Sequence, residues 1–137
     1  MKRLFFVSLA ILFLCAVMAN AAEMEKMKIA VAANDKTIEA SVSNEAARCP
    51  YYLIFDSKGE LIEVIDNPYG DASGGAGPSA ANFLAKRGVT MVIAMDFGSK
   101  MINTLESKGI AHFEFKGSVG DAVKRALEGG GVACEKS

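Results

Sequence analysis

A chain of 137 residues with 15 basic and 16 acidic side chains has a net charge of −1 and room for one hydrophobic core. It lacks the clustered basic surplus that a nucleic-acid partner demands, and it has no general attraction to anionic lipid. Trp is absent and aromatic residues make up only 8% of the chain, so the core has to be built from aliphatic residues, Met and Phe.

Lys2 and Arg3 open the chain, and Leu4 to Val17 is apolar except for Ser8. Ala19-Asn20-Ala21 then offers small residues at the two positions a signal peptidase reads. Residues 1–21 are therefore predicted to be a secretory signal peptide, giving a secreted or periplasmic protein with no membrane attachment after cleavage. The apolar stretch is short for a membrane span; an uncleaved anchor is the alternative reading. Losing Lys2 and Arg3 takes the 15 bases to 13 against the same 16 acids, a net −3.

Residues 22–26 form a charged lead-in. Lys28 to Ala33 reads as a strand buried on both faces. Asn34-Asp35 signals a turn, and Ile38 to Val42 is a short strand or an extended loop. Tyr51 to Phe55 is rich in aromatic and β-branched residues and reads as a strand. Asp56-Ser57-Lys58-Gly59 turns it back into Leu61 to Ile65 as a hairpin. Residues 67–79, NPYGDASGGAGPS, form the longest expected loop. Ala80, Phe83 and Leu84 share one face of a helix from Ser79 to Arg87, which Gly88 ends. Val89 to Met95 is a continuous apolar run, expected to be a central strand covered on both sides. Ser99 to Lys108 forms a second helix, stopped by Gly109, and Ile110 to Phe115 another strand. Ser118-Val119-Gly120-Asp121 opens a third helix as a capping box with Asp in place of Glu. Residues 130–137 read as a loose tail. A hairpin followed by alternating helices and strands predicts an α/β fold: a single domain over residues 27–129, with a mixed β-sheet flanked by about three helices. The later strands are joined by parallel, right-handed crossovers.

In such a sheet, ligands collect at the carboxyl ends of parallel strands, beside helix N-termini. Two segments fit: Asp96 to Ser99, and Gly74 to Ser79. Exposed N–H groups at a helix start favour an anion, and Pro78 and Ser79 suit a first turn and its cap. The glycine run lacks the Gly-Lys-Ser/Thr ending of a phosphate loop and the strand and acidic partner of a dinucleotide fingerprint. It is either an anion cradle or a flexible connection. The candidate ligand-binding residues are Arg48, Asp71, Gly74, Gly75, Gly77 and Ser79, with Arg48 neutralising an anion.

His112 is the sole histidine; it is a metal-ligand candidate or a plain sheet-face residue beside Glu114. Past the signal peptide, two cysteines remain. In an oxidising compartment Cys49 and Cys134 are a disulfide candidate, the alternative being two free thiols. Their thiolates suit copper(I), zinc or an iron–sulfur species, but two ligands do not make a site. No catalytic residue is expected. Asp56, Asp66 and Asp96 lie at strand ends, where turn-forming Asp is ordinary.

In order, the segments MKIAVAAND, VSNEAARCPYYLIFD, ELIEVIDNP, GGAG, LAKRGVTMVIAMDFG and LESKGIAHFEFKGSVGDAVKRALEG run through the chain. This set resembles the dinitrogenase iron–molybdenum cofactor biosynthesis family over about Met27 to Gly129. The resemblance implies a ribonuclease-H-like fold and a binding or carrier role without catalysis, toward a metal ion, a metal–sulfur cluster or another anionic ligand. Family members commonly read Ser-Glu-His-Phe-Gly-Arg-Ala-Pro-Tyr-Phe where this chain has Ser43 to Tyr52. Glu45 stands in the histidine's place and Cys49 in the alanine's. A family metal ligand is therefore missing, and Cys49, Glu45 and His112 are the candidate metal contacts. The competing expectation is a protein-interaction or sensor module that keeps the fold without binding a cluster, its partner unspecified by the sequence.

Overall fold

Five strands, β1 (Ile29–Ala33), β2 (Tyr51–Phe55), β3 (Leu61–Asp66), β4 (Met91–Ala94) and β5 (Ala111–Glu114), and three helices, α1 (Ala76–Lys86), α2 (Ser99–Ser107) and α3 (Val119–Glu128), make up the described residues, 27–129, of the computed structural model. The expected signal peptide (1–21), lead-in (22–26) and tail (130–137), with Cys134, lie outside the described residues.

The sheet is mixed, in the order β3-β2-β1-β4-β5. β1 takes the centre, antiparallel to β2 and parallel to β4, and its five residues are all buried. An unbroken run of small and branched apolar residues is what a strand covered on both faces requires. β4 is also fully buried, one place from the centre, and pairs in parallel with β5. The β2–β3 hairpin closes on Asp56, whose Oδ1 accepts from the Lys58 and Glu60 amides at 2.9 and 3.0 Å. That carboxylate has a local structural task, as its turn position suggested.

Alternation along the strands sorts side chains into two layers. Ala30, Ala32, Tyr52, Ile54, Val92 and Ala94 face α1 and α2, where they meet Leu84, Met101 and Leu105. Ile29, Val31, Leu53, Phe55 and Ile93 face α3 and meet Val119, Ala122, Val123 and Ala126. Among the described residues, no helix is long and apolar enough to cross a membrane.

One open choice is decided and one expected element differs. Ile38 to Val42 is no strand: it bends, and makes only single bridges, Ala33 to Val42 and Ser41 to Ser118. Its apolar alternation does not become a buried face, since Ile38 stays 46% exposed. The first helix begins at Ala76, three residues before the expected start. Gly75 turns the chain into it from the left-handed region (φ 68°), and no side chain caps it, so Ser79 is not a cap. The Ser79 amide instead closes the first turn onto the Gly75 carbonyl at 3.1 Å. Pro78 sits within that turn, where its missing N–H is one of the donors that has no intrahelical partner anyway.

Candidate functional site

Parallel pairing of β1 with β4 stops at Val31 and Ile93. Beyond it the loop after β1 wedges between the two strand ends. The Ser43 amide donates to Ala32 (2.8 Å), the Met95 amide donates to Ser43 (2.9 Å), and the Ala46 amide donates to Asp96 (3.1 Å). The gap opens into a cleft of about 410 Å³ at the carboxyl ends of β1 and β4. One wall is the turn Glu45 to Arg48. The others are the first turns of α1 (Gly75 to Pro78) and α2 (Gly98 to Lys100), with Asp96 and Met101 between them.

Both helices start at the cleft with bare ends. α1 and α2 have glycine at the N-cap, no side-chain cap and no acid in the first turn. α2 even carries Lys100 there, against the usual macrodipole preference. α3, which begins elsewhere, has both devices: Ser118 Oγ accepts from the Asp121 amide at 3.2 Å, and Asp121 supplies the acid. The α1 and α2 starts approach closely because position 77 has no side chain. A Cβ at Gly77 would lie 3.2 Å from both the Cβ and the amide nitrogen of Met101. The side-chain charges lining the cleft cancel, with Arg48 and Lys100 against Glu45 and Asp96. Two uncapped helix N-termini, each worth roughly half a positive charge, tip the balance toward an anion.

Of the expected ligand-binding residues, Arg48, Gly75 and Gly77 line the cleft, as does Glu45; Asp71, Gly74 and Ser79 do not. The Arg48 guanidinium is partly committed, donating through Nη1 to the Ala72 carbonyl. Cys49 lies behind the wall, 1% exposed among Ala46, Tyr52, Ile65 and Leu84. It is a free, buried thiol in the structure, and its expected disulfide partner Cys134 is outside the described residues. Burial pushes the Cys49 thiol up to about 12 and raises the Tyr52 phenol still further above its ordinary value. A thiol of this kind is neutral at physiological pH and offers no thiolate.

His112 projects from the edge strand β5 toward α2, with its ring edge-on to Phe97 at 5.3 Å, and does not line the cleft. The expected metal contacts Cys49, Glu45 and His112 are therefore not brought together. Among the described residues, no group of three or more His, Cys, Asp or Glu side chains assembles to hold a metal ion. Asp56 and Asp96 lie at opposite ends of the sheet, because β2 runs against β1 and β4.

Sequence reasoning pointed to Gly98 and Ser99 but passed over Lys100, Tyr52 and Asn67. Lys100 had a signal: a base in the first turn of a helix that has no acid there. Tyr52 and Asn67 had none, because their partners lie in other loops.

The family described as dinitrogenase iron-molybdenum cofactor matches residues 27–129. No curated protein matches the chain. Among solved structures, the apo form of the orange protein from Desulfovibrio gigas is similar at 28% identity, with a TM-score of 0.73, over 81% of this chain and 94% of that one. A candidate NifB protein from Thermotoga is similar at 26% identity and a TM-score of 0.63, over 81% and 99% of the two chains. A candidate dinitrogenase from Methanocaldococcus jannaschii, at 19% identity and a TM-score of 0.57 over 81% and 97%, shares the fold.

Proposed function

The chain belongs to the dinitrogenase iron-molybdenum cofactor family, and we propose that it is an exported, non-catalytic carrier whose cargo is a small metal-containing anion held in the cleft between α1 and α2. The observation that carries this reading is the pair of uncapped helix N-termini facing one cavity, while the helix that starts elsewhere is capped. Helix starts left bare around a shared cavity are suited to an anion. The cargo is preformed and bound through main-chain N–H groups, because among the described residues no thiolate, imidazole or carboxylate cluster stands ready to ligate a bare metal ion. An oxo- or thiometallate, or a metal–sulfur cluster of net negative charge, fits that description. The sheet order and the antiparallel β2 support the ribonuclease-H-like assignment. Export rests on residues 1–21, and N-terminal sequencing of protein recovered outside the cytoplasm tests it.

The cargo reading is tested by titrating the purified mature chain with molybdate, tetrathiomolybdate, copper(I) and zinc. Heat release and a raised melting temperature are expected with one of the molybdenum anions and not with zinc. At a hundredfold excess over Kd the stabilisation is about 2.7 kcal/mol. No response to any of the four favours the second reading, a protein-interaction module. The scattered positions of Cys49, Glu45 and His112 support that reading.

A further inference from the structure

Behind the cleft wall lie polar groups to which the cargo reading assigns no part. Tyr52 is fully buried in β2, and its hydroxyl donates to the Ala46 carbonyl. Asn67, half-buried just past β3, donates through Nδ2 to the carbonyls of Ala47 and Cys49, both at 2.8 Å. Its own amide donates to Pro50 at 3.0 Å, and its Oδ1 accepts from the Tyr69 amide at 3.0 Å. Three carbonyls of one short turn are thus drawn backward, into the protein, by two side chains from distant elements.

This has a geometric consequence. A peptide unit is planar and trans, so its N–H points opposite to its C=O. The Ala46 carbonyl shares a peptide with the Ala47 amide, and the Ala47 carbonyl with the Arg48 amide. With those carbonyls held toward Tyr52 and Asn67, the Ala47 and Arg48 N–H groups are directed away from them, and both residues line the cleft. Successive amides turned to one side make an anion-binding nest.

We infer that Asn67 and Tyr52 are positioning residues, holding the Ala47 and Arg48 amides as a pair of anion donors, so that the cleft recognises its cargo through the main chain and not through the Arg48 side chain. The inference rests on the cargo reading of the same cleft. It agrees with the charge balance there, where side chains cancel and backbone dipoles decide. It also gives the Arg48 guanidinium a different task, bracing the glycine-rich loop through Ala72.

The test uses the full mature chain with tetrathiomolybdate as probe. Asn67→Ala is expected to weaken binding at least tenfold and Tyr52→Phe several-fold, whereas Arg48→Met changes it less than threefold. In the wild type, the amide resonances of Ala47 and Arg48 move most on adding the probe. Val123→Ala, a destabilising change on the α3 face, controls for a merely structural loss and leaves affinity within twofold. If Asn67→Ala does not fold, Tyr52→Phe, which keeps the ring in its packing, decides. Wild-type affinity in both positioning variants, or loss of binding in Arg48→Met alone, overturns the inference. If the wild type binds no probe, the cargo reading falls and hydrogen exchange decides the clamp by itself. Faster exchange of the Ala46 amide in Asn67→Ala and Tyr52→Phe upholds the positioning role, and unchanged exchange overturns it.

Discussion

The two faces of the sheet are built differently. The α3 face is apolar throughout its buried cluster, and its helix is closed by a serine cap and an acid in the first turn. The α1–α2 face buries a phenol and a thiol in its core, ties a loop down with an asparagine, and leaves two helix starts bare. The bare starts are a local loss of stability relative to the α3 solution, glycine in place of a capping side chain costing about 0.3 kcal/mol, and the buried phenol has to be satisfied by the Ala46 carbonyl. That all of them fall on the side with the cleft argues that this face is shaped for binding and the other for holding the fold together.

The largest expected effect that separates the faces is alkaline. Burial holds Cys49 at about 12, against an ordinary 9.0, and raises Tyr52 in the same direction. Between those values the unfolded chain releases a proton that the folded chain keeps. The contribution is therefore fully present below pH 9 and falls as pH rises toward 12, by at most about 1.4 kcal/mol per pH unit for one group. Denaturant melts between pH 8 and 10 should show the decline, and Cys49→Ala should flatten it relative to the wild type. Equal slopes in the two proteins would contradict the buried placement of the thiol. Val123→Ala, on the other face, leaves the slope unchanged.

Next in size is the contact that brings the two bare helices together. Gly77→Ala places a methyl 3.2 Å from the Met101 backbone and Cβ. A misfit of this kind costs about 1–3 kcal/mol, offset in part by the better helix propensity of Ala. A net loss of roughly 1 kcal/mol is expected, with weaker tetrathiomolybdate binding as the cleft walls part. The matching change on the α3 face, Gly120→Ala, meets the Ile38 carbonyl at 3.4 Å and its Cβ at 3.9 Å and should stay within about 0.5 kcal/mol of wild type. Equal effects at the two glycines would remove the distinction between the faces.

The strands of both faces were legible in the sequence because their signal is local. IAVAA and MVIA are apolar without a break, YYLIF has strand-forming side chains throughout, and Ser118 with Asp121 announced a cap that is present. The cleft was only half legible. Its position followed from strand ends and glycines, and Arg48, Gly75 and Gly77 were found. The start of α1 was missed because Gly74 to Gly77 shows no apolar period, while the left-handed turn at Gly75 is visible only in the backbone. For Ile38 to Val42 the sequence allows a short strand or an extended loop, and the structure has the loop, since alternation without a partner strand is no strand. Cys49 was taken as a ligand because a thiolate is a soft donor and it stands where the family has alanine. Its burial depends on Tyr52 and on the return of the chain at Asn67, and contacts so far apart in sequence leave no mark on a short window.

The cap substitutions make the sharpest comparison, because they should separate stability from binding. Gly98 has extended backbone angles that any residue adopts, and an added Cβ would meet nothing within 4 Å. Gly98→Asp gives α2 the carboxylate cap its sequence omits. It is expected to raise stability by about 0.5 kcal/mol while weakening tetrathiomolybdate binding roughly tenfold, since the new charge takes the place meant for the anion. Ser118→Ala removes the cap that α3 already has. It should lower stability by about 1 kcal/mol and leave binding unaltered. Paired thermal melts and probe titrations of the two variants read out both quantities. If Gly98→Asp stabilises the chain and binds the probe as well as the wild type does, the bare start of α2 is not part of an anion site, and the contrast between the faces reduces to packing.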